Sequence, residues 1–130
     1  MAGETNLKTL LKSLNPIMHD GNYVFCTLEN FSFIDPKDVI MSFCEVEGTS
    51  IIVRKELADR FSLKYNFTAA WITLMVYSSL DAVGLTAAFT TALADEGISC
   101  NVVAGYFHDH LFVNFTDAEK AMEILNSFSV

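Results

Sequence analysis

Apolar positions along the chain follow two periods. From Asn6 onward, Leu7, Leu10, Leu11 and Leu14 recur at i, i+3, i+4 and i+7 with Lys8 and Lys12 on the other side, which predicts a short amphipathic helix over residues 7–14. Asn15-Pro16 stops it, because the residue before a proline is pushed out of the α region, and His19-Asp20-Gly21-Asn22 is turn chemistry. The period then drops to two. Residues 23–28 alternate and are rich in aromatic and β-branched side chains, which predicts a strand. A loop over residues 29–38 follows, containing Pro36, with Phe31 and Phe33 expected to turn inward. Residues 39–46 and 50–54 flank Glu47-Gly48-Thr49 and predict a β-hairpin. Leu57, Ala58 and Phe61 then give a helical turn or two, with Glu56 and Asp59 near its start, where the helix dipole favours them.

The second half is more apolar. Residues 71–77 are interrupted only by Thr73, and a strand apolar on both faces is expected to be central and covered on both sides. The run breaks at Ser78-Ser79-Leu80-Asp81. A helix led by Gly84 then shows Leu85, Ala88, Phe89, Ala92 and Leu93 on one face and stops at Gly97. Residues 98–104 predict the next strand, which with the preceding strand and helix makes a parallel, right-handed βαβ unit. A hairpin loop over residues 105–109 leads to an antiparallel strand at 110–115. Thr116-Asp117-Ala118-Glu119 has the form of a capping box, and Ala118, Ala121, Met122 and Leu125 form the buried stripe of a last helix.

Residues 39–61 and 98–125 both read strand, strand, helix, which points to an internal duplication. From Trp71 onward the order β-α-β-β-α is a ferredoxin-like half that lacks its last strand, and the first half can supply it. The expected fold is therefore α+β: a ferredoxin-like tandem repeat with antiparallel sheets and helices packed on one face. Its two lobes, residues 1–66 and 67–130, would share strands.

Composition adds bounds. At 130 residues with 52% apolar and 18% charged side chains, the chain carries more apolar residues than one small soluble unit needs, so a homodimer is expected. The net charge is −8, and residues 66–130 hold Lys120 as their one basic residue against seven acidic ones. That balance excludes nucleic acid and an anionic membrane surface as partners, since both need clustered Lys and Arg. Cys26, Cys44 and Cys100 are odd in number and each sits in an apolar run, which suits buried, reduced thiols and a cytoplasmic location. The N-terminus has no apolar signal-like stretch and no run reaches the length of a membrane span. No G-x-S-x-G, P-loop or local Cys–His pair is present, so neither catalysis nor a cofactor is expected.

The candidate chemistry lies where the apolar strand empties into the helix. A Gly-led helix N-terminus turns backbone N–H groups toward one spot, which suits a carboxylate. N–H groups around Gly84 and Leu85 would hold that carboxylate, and Asp81 would hold an ammonium group. The competing reading is that Ser79 or Asp81 caps the helix and Gly84 allows close packing. Asn101 stands on an otherwise apolar strand, where its amide needs a partner from a ligand, a neighbouring strand or a loop. His108 and His110 would point to one side of an extended strand and offer a two-ligand metal arm. The further ligands that zinc requires are not evident, and a hydrogen-bonded turn at the strand entrance accounts for them better.

The run SSLDAVGLTAAFTTALADEGISCNVVAGYFHDHLFV, residues 78–113, resembles the second module of a small bacterial family of tandem ACT-like proteins. GNYVFCTL at 21–28 and IIVRKELA at 51–58 look like its first module. The resemblance implies a ferredoxin-like βαββαβ fold in each module and amino-acid sensing at the strand-to-helix loop. In similar modules of amino-acid-regulated aspartate kinases the loop reads Ser-x-x-Asp-x-x-Gly with an Asn on the next strand, matched here by Ser78, Asp81, Gly84 and Asn101. The implied ligand set is Ser78, Ser79, Leu80, Asp81, Val83, Gly84, Leu85, Thr86, Asn101 and Val102, with an amino acid or similar small zwitterion as ligand. No catalytic or DNA-binding domain accompanies the modules, so a regulated enzyme would be a separate molecule.

Overall fold

Asn6 starts the first helix by accepting the Thr9 backbone N–H on its carboxamide at 3.0 Å, so α1 (Leu7–Lys12) begins where its apolar period begins. The structure, a computed structural model, describes residues 5–30 and 33–130. After α1, Pro16 opens a three-residue strand, β1 (Pro16–Met18), which the apolar pattern does not announce. Proline is tolerated there because the first residue of an edge strand need not donate to the ladder.

The chain divides into two compact units: residues up to Asp20 together with Ala70–Val130, and Gly21–Ala69. In the first, β1 pairs antiparallel with β5 (Thr68–Leu74), placing Pro16 opposite Leu74 and Met18 opposite Ile72. The helix α3 (Leu85–Asp95) follows, then β6 (Cys100–Ala104), β7 (Asp109–Asn114) and α4 (Ala118–Ser127). The strand order is β1-β5-β7-β6. The N-terminal segment thus supplies the fourth strand that residues 71–130 lack.

Since β7 lies between β5 and β6, the expected βαβ unit is split rather than formed by adjacent strands. Burial explains the order. Leu111, Phe112 and Val113 of β7 are all fully buried, whereas β6 is half exposed and takes the edge. One face of β5 sends Ala70, Ile72 and Leu74 into a core with Leu85, Phe89 and Leu93 of α3, Ala121 and Leu125 of α4, and Leu10 of α1.

In the second unit, β2 (Tyr23–Leu28) lies between β4 (Gly48–Arg54) and the first two residues of β5, with Tyr23 opposite Ala69. On the far side of β4 comes β3 (Met41–Glu45), giving the order β3-β4-β2-β5, and here strand, hairpin, helix and strand follow one another along the chain. Its helix is α2 (Lys55–Arg60). Where a first helix would stand, the described chain has only a 3-10 turn, Pro36–Asp38, capped by Asp35. β5 begins in one unit and ends in the other, so the strand sharing expected from the sequence is present.

Four expectations need correction. The capping box at Thr116 does not form: the Thr116 hydroxyl and backbone N–H both donate to the Asn114 carboxamide, which closes the preceding 3-10 turn instead. Phe33 is 46% exposed, with its ring 5.5 Å from that of Phe61, rather than turned inward; Phe31 lies outside the described residues. Cys44 is exposed because β3 is an edge strand whose residues are almost all open to solvent. Finally, β5 ends at Leu74 rather than Tyr77: the Met75 and Val76 N–H groups leave the ladder and donate to the Asn15 and Leu14 carbonyls, each at 3.2 Å.

Candidate functional site

The strand-to-helix junction is built by backbone geometry. Ser79 closes a local turn, its hydroxyl accepting the Asp81 N–H at 3.1 Å and its carbonyl the Ala82 N–H at 2.9 Å. Gly84 then adopts a left-handed conformation, φ 94°, which only glycine takes at no steric cost, and becomes the N-cap of α3. No side chain caps this helix and its first turn holds no acidic residue. Capping by Ser79 or Asp81 is therefore not what the two residues do. Close packing at Gly84 is real: a Cβ there would stand 3.3 Å from a methyl group of Leu7.

The remaining candidates are distributed as follows. Leu80 and Val83 are strongly exposed, Asp81 and Thr86 are exposed, and Leu85 is buried in the core. On β6, Val102 packs against that same core while Asn101 is exposed, so the two neighbours face opposite sides. Asn101 donates its side-chain amide across the ladder to the carbonyl of Phe112, the residue it pairs with, at 3.4 Å. The hairpin tip approaches the junction from β7. His108 Nδ1 donates to the Val76 carbonyl at 3.4 Å, and the Phe107 and Tyr77 rings lie 5.9 Å apart. A cavity of about 200 Å³ elsewhere in this unit is lined by Lys12, Asn15, Leu125 and Asn126 among others.

On the face of β5 away from the core, the structure assembles a group the sequence reading did not. Thr73, 4% exposed, stands between two imidazoles: its hydroxyl is 2.7 Å from His19 Nε2 and 2.9 Å from His110 Nδ1. Trp71 donates its indole N–H to the same His110 Nδ1 at 3.1 Å, and its ring stacks on His19 at 3.6 Å. An indole can only donate, so His110 Nδ1 must be bare and its ring proton must sit on Nε2. The Thr73 hydroxyl therefore donates to His110 and accepts from His19 Nε2–H. Burial first, then the nearby His108 and His19, push the His110 pKa below the ordinary 6.5. Next to it, burial raises the Asp109 carboxyl above 3.8.

The signal for this group was Thr73 itself. A lone hydroxyl on a buried strand must find partners, and the two that serve it lie 54 and 37 residues away. As for the metal arm, among the described residues no group of three or more His, Cys, Asp and Glu is placed to hold a metal ion. The hydrogen-bonded turn expected at the strand entrance is there, with the Gly105 N–H on the His108 carbonyl at 2.9 Å.

Comparison with known proteins agrees with this architecture. Residues 2–70 and 66–127 each match an ACT domain model. No curated protein matches the sequence. Among solved structures, a Vibrio cholerae protein of unknown function, described as a possible transport protein, is 41% identical over 95% of this chain and 96% of its own, with a TM-score of 0.83. An Agrobacterium tumefaciens protein is 20% identical over 88% of this chain and 87% of its own, TM-score 0.63. Escherichia coli aspartokinase III, solved with aspartate and ADP, is 12% identical, covering 87% of this chain and 32% of its own, TM-score 0.62; it is similar in fold alone. The split βαβ order in both units and the two tandem matches together place the chain in the ACT domain family.

Proposed function

We propose that this chain is a regulatory module that senses an amino acid at residues 78–86. Membership of the ACT family makes it a regulatory, ligand-binding module in kind. The observation that carries the finer reading is the N-terminus of α3, which is led by a left-handed Gly84 and lacks both a side-chain cap and an acidic first turn. Its N–H groups suit a carboxylate, and the exposed Asp81 supplies the opposite charge for an ammonium group. Ser78, Ser79, Leu80, Val83 and Thr86 complete the loop; Leu85 and Val102 back it from the core, and of the pair on β6 only Asn101 is exposed to a ligand. Lobes 1–66 and 67–130 act together, as a homodimer in the cytoplasm, on a separate enzyme. The high apolar fraction supports the dimer, and three free cysteines support a reducing compartment.

Thermal shift against the twenty amino acids tests this reading. One or a few should raise the melting temperature, since ligand at a hundred times its dissociation constant adds about 2.7 kcal/mol. Asp81→Ala should abolish that shift without lowering the melting temperature of the unliganded protein. No stabilisation by any amino acid at millimolar concentration overturns it. A second reading, a protein-interaction module, is favoured by Leu80 and Val83, which are 69% and 84% exposed on the same loop. Capture of one specific enzyme, unchanged by amino acids and by Asp81→Ala, selects it.

A further inference from the structure

We propose that His110 is an acid-operated latch on the β6–β7 hairpin: a proton gained at Nδ1 releases Trp71 and Thr73 and loosens the hairpin tip packed on Val76 and Tyr77. The bond pattern makes the latch one-sided. His19 donates from Nε2 whether its ring is neutral or charged, so its own protonation leaves the chain of bonds intact. His110 accepts at Nδ1 from two donors, and a proton there faces both of them at once. The Thr73 hydroxyl can turn away to another acceptor, but the indole N–H has no such freedom.

These bonds tie three neighbouring strands. His19 follows β1, Trp71 and Thr73 lie on β5, and His110 lies on β7 one residue after the strand begins. Among the described residues, the charges that act on His110 come from His108 of the hairpin and His19 of the segment after β1, and Asp109 stands next to it on β7. The facing residues of β6, Val103 and Ala104, carry none, and the His110 ring edge on that side meets Gly105. All three histidines of the chain are thus in this one unit. Burial and the two other histidines hold His110 neutral until the pH falls below its ordinary value, which sets the latch to open late in a descending titration. What opens is the hairpin tip, whose His108 and Phe107 adjoin the entrance to residues 78–86. The proposal stands without any ligand at that loop.

The chain holds a single tryptophan, so one indole N–H resonance reports the latch. Proton–nitrogen spectra of the full chain from about pH 8 to about pH 5 should show that resonance moving with the same midpoint as the His110 ring signals. The Gly105 amide, bonded to His108, should lose protection from hydrogen exchange by about tenfold over the same range, after correction for the intrinsic rate. His110→Gln does not titrate, so its indole resonance should stay fixed, whereas His19→Gln should keep the wild-type response. An indole resonance that holds constant through the His110 titration of the wild-type protein overturns the proposal, whether or not the variants fold. So does a wild-type response that persists in His110→Gln.

Discussion

Trp71 Nε1 stands 3.1 Å from His110 Nδ1, and that one bond fixes the tautomer of the histidine and the direction of every hydrogen bond beyond it. It also fixes a pH dependence of stability. The His110 pKa lies below 6.5 in the folded chain, so under acid the unfolded chain binds more protons. The stability that His110 contributes is complete above the unfolded value and is lost as the pH falls through the folded one. Asp109, raised above 3.8 by burial, has the opposite sense: its contribution is present at low pH and is lost as the pH rises through its folded value. Melting temperatures should therefore fall from about pH 7 toward about pH 5, where His110 dominates, and His110→Gln should flatten that slope. A profile that is level or rising toward acid in the wild-type protein contradicts the assignment.

Thr73→Val preserves shape on β5 and removes the hydroxyl that joins the two imidazoles. His19 Nε2–H then loses its acceptor on a half-buried face, and the expected cost is about 1–3 kcal/mol. Thr73→Ser keeps the hydroxyl and should recover most of it. Urea denaturation of the two variants separates a hydrogen-bonding role from a packing role. A loss in Thr73→Ser with none in Thr73→Val would mean that the methyl group, and not the hydroxyl, is what the site needs.

Gly84→Ala places a Cβ where φ is 94° and where a Leu7 methyl group lies 3.3 Å away. A left-handed residue with a Cβ costs about 1–2 kcal/mol, and the crowded leucine adds to it. Chemical denaturation should show that loss. Gly97 is the control: it has φ 76° but nothing within 4 Å of its Cβ position, so Gly97→Ala should carry the conformational cost alone. If the two variants lose equal stability, Leu7 does not press on the junction.

Much of this architecture is legible in the sequence because the elements are local. The leucine period of α1, the alternation of β2 and the Ala118, Ala121, Leu125 stripe of α4 each depend on residues within a few turns of one another. What the sequence hides is non-local. β1 is three residues long, and its partner Leu74 is 58 positions from Pro16, so no period announces it. The Thr116 capping box has the right letters, but Asn114, two residues earlier, offers a competing acceptor and takes the bonds. At the candidate site the left-handed Gly84 could be anticipated from its place before an apolar helix. The His19–Thr73–His110 chain could not, since it is assembled from three strands' worth of separate sequence.

The three cysteines give a test of burial that needs no ligand. Cys44 sits exposed on the edge strand β3. Cys26 is buried in the core of Gly21–Ala69, and desolvation raises its pKa above 9.0. Cys100, half-buried at the start of β6, is pushed up to about 11 by the same cause. The reactive species is the thiolate, so alkylation near neutral pH should modify one site quickly. Intact-mass spectrometry with iodoacetamide should show a single fast adduct, and peptide mapping should place it on Cys44. The other two should react only after denaturant is added. Raising the pH should not bring Cys26 forward at the rate of an open thiol, because access as well as ionisation limits it. Rapid double labelling of the native protein would mean that β6 or the core of Gly21–Ala69 opens more readily than its packing implies.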